Sequence, residues 1–274
     1  MISAEIGIAF AVLLASLCSG IIEYSISGGY ALLVVPLMVL MGFNVKDVIS
    51  TVLLVQVIGS SILLTYRYMQ KRIELKPRNE DIKNGSIMGF LSLLGALIAS
   101  SIMVSVPTNW SKITLTAVIL SLAILLVIKK RHSWRTFNGG TPIVVQNPKA
   151  LLIKRIVIVP LVAGVIKGLV GSGFSVVLMA GQVLTGVEVK RAVLVTIIAK
   201  IIPSLAASTI FIIHGFFNLS LFIFLLAGII PSIFISSKFH RVLSGKYVYT
   251  AIVIYMLLIA SILVVNLTWV NIYE

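Results

Sequence analysis

The stretch GVIKGLVGSGFSVVLMAGQVLTG, residues 164–186, decides the fold. It sets a lysine, Lys167, inside an apolar run and follows it at once with glycines, which interrupt helices. The chain on either side is just as apolar. Of its 274 residues 59% are hydrophobic and 11% charged, and the mean hydropathy is +1.14. A soluble domain is about a quarter charged, so this chain has too little polar surface to coat itself against water. Runs such as AVLVTIIAKIIPSLAASTIFII (192–213) and YTAIVIYMLLIASILVVNLTWV (249–270) have the length that spans a bilayer. The reading is all-α: a polytopic transmembrane helical bundle.

A net charge of +14 raises the question of nucleic acid, and the placement of the charges answers it. They concentrate in the short stretches KRIELKPRNEDIK (71–83), KKRHSWRTF (129–137) with KALLIKR (149–155), and SKFHRVLSGK (237–246). Basic residues in short loops beside membrane segments set topology, so nucleic acid is excluded as a partner. Cys18 is the only cysteine, which rules out an intrachain disulfide. The first apolar segment has no basic leader and carries Glu5 near its start, against a cleaved signal peptide.

Ten apolar segments are expected, at 5–22, 30–42, 48–68, 84–104, 111–128, 154–170, 174–186, 192–213, 218–236 and 247–268. The second and seventh reach only ~20 Å as helices, short of a ~30 Å hydrocarbon core, so they read as half-helices, tilted spans or re-entrant segments. The one long polar stretch, 129–149, splits the ten into five and five. The division expected is a first transmembrane repeat at 1–128, a cytoplasmic linker at 129–153 and a second repeat at 154–274. The halves align without a gap at an offset of 144, where Gly20 meets Gly164, Gly29 meets Gly173, Gly42 meets Gly186, Lys46 meets Lys190, Ser60 meets Ser204 and Thr65 meets Thr209. With the basic loops cytoplasmic, both termini lie outside and the two repeats have inverted topology. Inverted repeats with interrupted helices at corresponding positions point to a secondary transporter with its site near the midplane, here in the cell membrane.

Charge inside hydrocarbon is costly, from about 2.5–3.5 kcal/mol for a lysine at a helix centre. Lys167 lies ~18 Å of helix beyond Arg155 and Lys200 ~14 Å beyond Arg191, so both approach mid-membrane. The repeat sets Glu23 opposite Lys167 and Gln56 opposite Lys200. The breaks SISGGY (25–30) and GLVGSGF (168–174) would free backbone N–H groups and aim the positive ends of the following helices at the break. Lys167, Lys200, Gln56, Ser27, Gly28, Gly29, Ser172 and Gly173 are therefore expected to bind an anion, with Glu23 the candidate for proton coupling.

Plainer roles compete. Lys167 would serve as a structural tie if it pairs with Glu23, whereas Lys200 has no obvious partner in sequence. The glycines would serve close helix packing, and Gln56 and Gln182 would bond neighbouring helices. Arg67 is expected to snorkel, Lys46, Lys190 and Arg191 to anchor helix ends, Pro36, Pro203 and Pro231 to kink their helices, and His214 to be solvated. No stretch has metal-ligand spacing, and neither metal nor cofactor is expected.

A glycine-rich break, a short apolar segment, a basic turn and a long helix, repeated in both halves, resemble the TauE/SafE (TSUP) family of sulfite and organosulfonate exporters. GLVGSGFSVVLMAGQVLTGVEVKRAVLVT (168–196) carries the likeness best. It keeps Ala192, Val193 and Thr196 of the family's alanine–valine–glycine–threonine–serine run, with Leu194 in place of the glycine. SISGGYALLVVP (25–36) keeps Gly28, Gly29 and Pro36, and VISTV (48–52) keeps Thr51. The resemblance implies outward transport of a small sulfur-containing anion such as sulfite or sulfoacetate, not an enzyme. Lys167 and Lys200 lie outside the matched pattern, so their role rests on the membrane argument. The partners expected are that anion and the lipid bilayer, with a homodimer left open. Rival readings are an anion channel, a non-transporting receptor or scaffold, and an intramembrane serine hydrolase using Ser172 and His214.

Overall fold

With water excluded from the bilayer core, a chain this apolar must satisfy its backbone internally, and helices do so within one segment. The computed structural model describes residues 2–26, 29–70, 80–137, 154–184, 187, 189–239 and, in part, 254–263. Ten α-helices lie between residues 2 and 239: α1 (Ile2–Ile26), α2 (Tyr30–Leu40), α3 (Val45–Met69), α4 (Glu80–Ser105), α5 (Thr108–Phe137), α6 (Val159–Val170), α7 (Phe174–Leu184), α8 (Val189–Ala199), α9 (Ile201–Ile213) and α10 (Leu219–Phe239). A π-helical turn, Lys154–Ile158, leads into α6, and no strand occurs among the described residues. The described part of 254–263 is helical and docks on α2, where the Tyr255 hydroxyl donates to the Leu33 carbonyl at 2.7 Å.

Five stretches, 6–25, 45–69, 80–105, 191–213 and 219–236, are long and apolar enough to cross a membrane. Their surfaces are inside-out relative to a water-soluble bundle. On α4 the large apolar side chains Phe90, Leu94, Ile98 and Ile102 recur every four residues and are more than half exposed, a lipid-facing stripe. The opposite face buries Gly85, Gly89, Ser92, Gly95, Ala96, Ala99 and Ser100. Between helices in lipid the attraction comes from close backbone approach, which small residues permit. A Cβ on Gly164 would come within 2.1 Å of the Ser92 carbonyl oxygen, and one on Gly168 within 2.4 Å of that of Ala96. The glycines of GVIKG thus press α6 into α4. On the other side Gly20 of α1 abuts Ser232 of α10, Gly228 abuts the α1 backbone at Leu13, and Ser16 donates to the Leu225 carbonyl at 2.6 Å.

These two contacts are the most extensive in the molecule. Each joins the first helix of one half to the fourth helix of the other. Helix bounds recur as well: 30 and 40 meet 174 and 184, and 45 and 69 meet 189 and 213, at the offset read from the sequence. The long helix α3 corresponds to two, α8 and α9, with Lys200 alone between them. Pro203 explains the difference, because it has no N–H to bond the Ala199 carbonyl one turn back. Helices α2 and α10 run through Pro36 and Pro231.

At the ends, Lys46 donates to the Val104 carbonyl at 2.6 Å in the last turn of α4 and lies 4.6 Å from the Phe216 ring centroid. It anchors a helix end as expected, with a cation at the dipole's negative pole. Arg191, which opens α8, pairs with Asp81 at 2.8 Å and Glu80 at 3.3 Å at the start of α4. Arg67 donates to the Tyr24 carbonyl at 3.1 Å, satisfying an acceptor in the last turn of α1. The side chain of Lys190, residues 138–153 of the linker and most of 247–268 lie outside the described residues.

Leucine at 164 has no space to occupy, since even a Cβ there meets backbone, and overpacking costs ~1–3 kcal/mol or more. Gly164→Leu is expected to lower the thermal midpoint in detergent sharply. Gly7→Leu, where a Cβ meets nothing within 4 Å, should leave it unchanged.

Candidate functional site

The α2 and α7 helices both begin beside the middle of the bundle, each after a glycine in left-handed backbone. Gly29 has φ 129° and Gly173 φ 82°, and Gly171, which closes α6, has φ 68°. Side chains with a Cβ rarely adopt such values, so these glycines turn the chain where it leaves one helix and enters the next. The Gly29 and Gly173 carbonyls accept the first bonds of their helices, from Leu33 at 2.9 Å and Val177 at 3.0 Å. Ser27 and Gly28 lie outside the described residues.

Four polar side chains from separate elements meet there, all buried: Glu23 of α1, Gln56 of α3, Lys167 of α6 and Lys200 at the α8–α9 break. Their partners run crosswise to the repeat pairing. Lys200 forms the ion pair, with Glu23, and Lys167 donates to the Gln56 side-chain carbonyl. The tie between Lys167 and Glu23 weighed as the plainer role is not formed; the ion pair joins Lys200 to Glu23 instead, and Lys200 has the partner that its sequence position did not reveal. Each ammonium also faces an aromatic ring with its centroid 5.6 Å away, Phe174 for Lys167 and Tyr24 for Lys200, close enough for cation–π attraction.

Glu23 has a second role. Its other carboxylate oxygen accepts the Tyr30 backbone N–H at 3.0 Å, the first residue of α2, while Ser175 at the start of α7 donates to the oxygen that Lys200 holds, at 3.4 Å. The helix end expected to offer free N–H groups to an anion is occupied by the protein's own carboxylate, a stabilising arrangement at a positive pole. Sequence reasoning missed Tyr30 and Ser175 as members of the cluster. The spacing of Glu23 to the helix start at Tyr30, across a glycine turn, is the signal that would have found them.

The second break differs. Ser172 is 1% exposed, and its hydroxyl has no hydrogen-bond partner. It lines a cavity with Glu23, Gln56, Lys167, Gly173 and Ser175. The cavity measures about 10 Å³, at the lower limit for a single water, so the side chains are packed tightly around the charges. His214 is exposed and bonds the Ile210 carbonyl at 2.8 Å, so the Ser172–His214 pairing of a hydrolase is not formed. Gln182 donates to the Thr196 hydroxyl at 3.1 Å, which is the neighbour-bonding role weighed for it.

Removing one member of a buried ion pair costs ~3–5 kcal/mol because the other stays charged and unpaired. Lys200→Met is expected to lower thermal stability in detergent by that order. Adding Glu23→Gln to it should recover most of the loss, measured as the thermal midpoint of the purified protein.

No curated protein and no solved structure matches the chain significantly. A family model described as "Sulfite exporter TauE/SafE" matches residues 12–263, a range that holds every residue of the cluster. The described helices and that match make this a multi-pass membrane protein with a transporter's role. The chain belongs to the sulfite exporter TauE/SafE family.

Proposed function

We propose that the protein is a secondary transporter that moves a small sulfur-containing anion, sulfite, sulfoacetate or a related organosulfonate, outward across the cell membrane, coupled to an ion. The observation that carries this reading is the buried cluster of Glu23, Gln56, Lys167 and Lys200 at two glycine-broken helix starts. It places positive charge and helix N-termini together, away from water, where an oxyanion finds both countercharge and N–H donors. We read the two halves as inverted-topology repeats, supported by the recurring helix bounds and the exchanged packing of first and fourth helices. Both termini then lie on the extracytoplasmic side. The cavity of about 10 Å³ is too small for such an anion, so the elements around it must move apart for the anion to enter.

Coupling runs through Glu23, the one carboxylate among the buried charged residues described. The groups around it are Lys200, Tyr30, Ser175, Lys167 and its neighbour Tyr24. A proton on Glu23 would release Lys200 and the start of α2, which makes protonation and rearrangement one event.

Purified protein in liposomes is expected to give saturable flux of at least one of sulfite, sulfate, sulfoacetate and taurine, with chloride excluded, and Lys200→Met should abolish it. Unsaturable flux that includes chloride would instead mean a channel, and ligand binding without flux a receptor. Coupling has its own measurement. Wild-type flux should respond to an imposed pH gradient, while residual flux through Glu23→Gln should not.

A further inference from the structure

The cluster is electrically uneven, and the unevenness divides its members into two sets. In their ordinary ionised forms Lys200 and Glu23 cancel, joined as a pair, and the Glu23 carboxylate also occupies the positive end of α2. Lys167 remains. Among the described residues its ammonium has one hydrogen bond, to the uncharged Gln56. Lys46 is the only other buried charged residue described, and it is engaged elsewhere, at the end of α4. The site therefore carries one surplus positive charge.

The repeat shows where that charge points. Lys167 stands at the position of Glu23, so the second break holds a cation where the first holds its capping carboxylate. A cation cannot cap a positive helix end. Among the described residues no carboxylate accepts a backbone N–H of the first turn of α7, which is 11 residues long; Glu23 reaches that turn only through the Ser175 hydroxyl. Ser172, almost fully buried and without a partner for its hydroxyl, lines the cavity against that turn.

Resting on the transporter reading above, we infer that the substrate's anionic group sits at the N-terminus of α7, held by Lys167 and Ser172, and that the site is matched to one net negative charge. Lys200 and Glu23 set the charge balance of the site instead of holding the anion. A singly charged alkylsulfonate or hydrogensulfite leaves the loaded site neutral. A doubly charged anion such as sulfate leaves a buried negative charge uncompensated, which is costly in a closed, low-dielectric site, unless a proton accompanies it on Glu23.

The test measures flux of radiolabelled methanesulfonate and of sulfate at one pH in liposomes, for wild type, Glu23→Gln, Lys200→Met/Glu23→Gln and Ser172→Ala. Wild type should favour methanesulfonate over sulfate by about tenfold or more, a difference of roughly 1.4 kcal/mol. Glu23→Gln raises the surplus to two charges and should reverse the preference or erase it. The double variant returns the surplus to one and should restore it. Ser172→Ala should weaken the half-saturation concentration for both anions by about tenfold or more with their ratio kept. If Glu23→Gln does not fold, the wild-type ratio and Ser172→Ala decide. Flux that favours sulfate in wild type, a ratio indifferent to Glu23→Gln, or unchanged half-saturation in Ser172→Ala overturns the inference while leaving a transporter. Absence of saturable flux for any sulfur anion, in these and the earlier assays, overturns the transporter reading itself.

Discussion

One carboxylate ties the middle of this molecule together. Glu23 ends its helix in contact with the start of α2, the start of α7 and the lysine at the α8–α9 break. A lone charge at that depth would cost several kcal/mol, so each partner constrains the others. Lys200 needs Glu23 to be tolerated there, and the glycine turn after Glu23 must bring the Tyr30 N–H to within 3.0 Å. The positive φ at Gly29 is what lets the chain double back so soon after α1. Packing has to serve this junction, and the small residues along α1, α4, α6 and α10 let four helices approach closely enough to close it off.

Repetition with a difference gives the site its chemistry. A positive-φ glycine followed by a short helix occurs in both halves, yet one position holds Glu23 and its counterpart Lys167. A symmetric pair of carboxylates would leave both helix starts occupied and the site negative, and a symmetric pair of lysines would repel. The mixed pair leaves one helix start satisfied from within and the other facing a cation, an unpartnered hydroxyl and the cavity. The family to which the chain belongs is described by the export of sulfite, and an oxyanion is the ligand class to which such an end responds.

Much of the architecture could be read in advance because hydropathy and glycine placement are local. The short segments expected at 30–42 and 174–186 are α2 and α7 at Tyr30–Leu40 and Phe174–Leu184, and nine of the ten segments correspond to helices or to the divided pair α8–α9 within the described residues. The tenth, 247–268, is described only in part. The gathering of Glu23, Gln56, Lys167 and Lys200 was also legible, since counting residues from the basic ends of the spans gives depth. Their partners were not. Depth along a helix says nothing of the direction a side chain takes around its axis, and that direction joins Lys200 to Glu23 and Lys167 to Gln56. The break at Lys200 was hidden for a different reason. Hydropathy runs unbroken across 192–213, and Pro203 reads as a kink until the N–H that it cannot give the Ala199 carbonyl is considered.

The exchanged packing of α1 on α10 and α4 on α6 has a consequence for how the chain is made. Neither half encloses its own seam of small residues, because each first helix is completed by a fourth helix synthesised with the other half. During translation the glycine and serine face of α4 enters the membrane before α6 exists, and α1 waits for almost the whole chain before α10 arrives. Insertion and assembly are therefore separate stages in time, and the early helices must be held near one another, by lipid or by the insertion machinery, until the C-terminal half closes both seams.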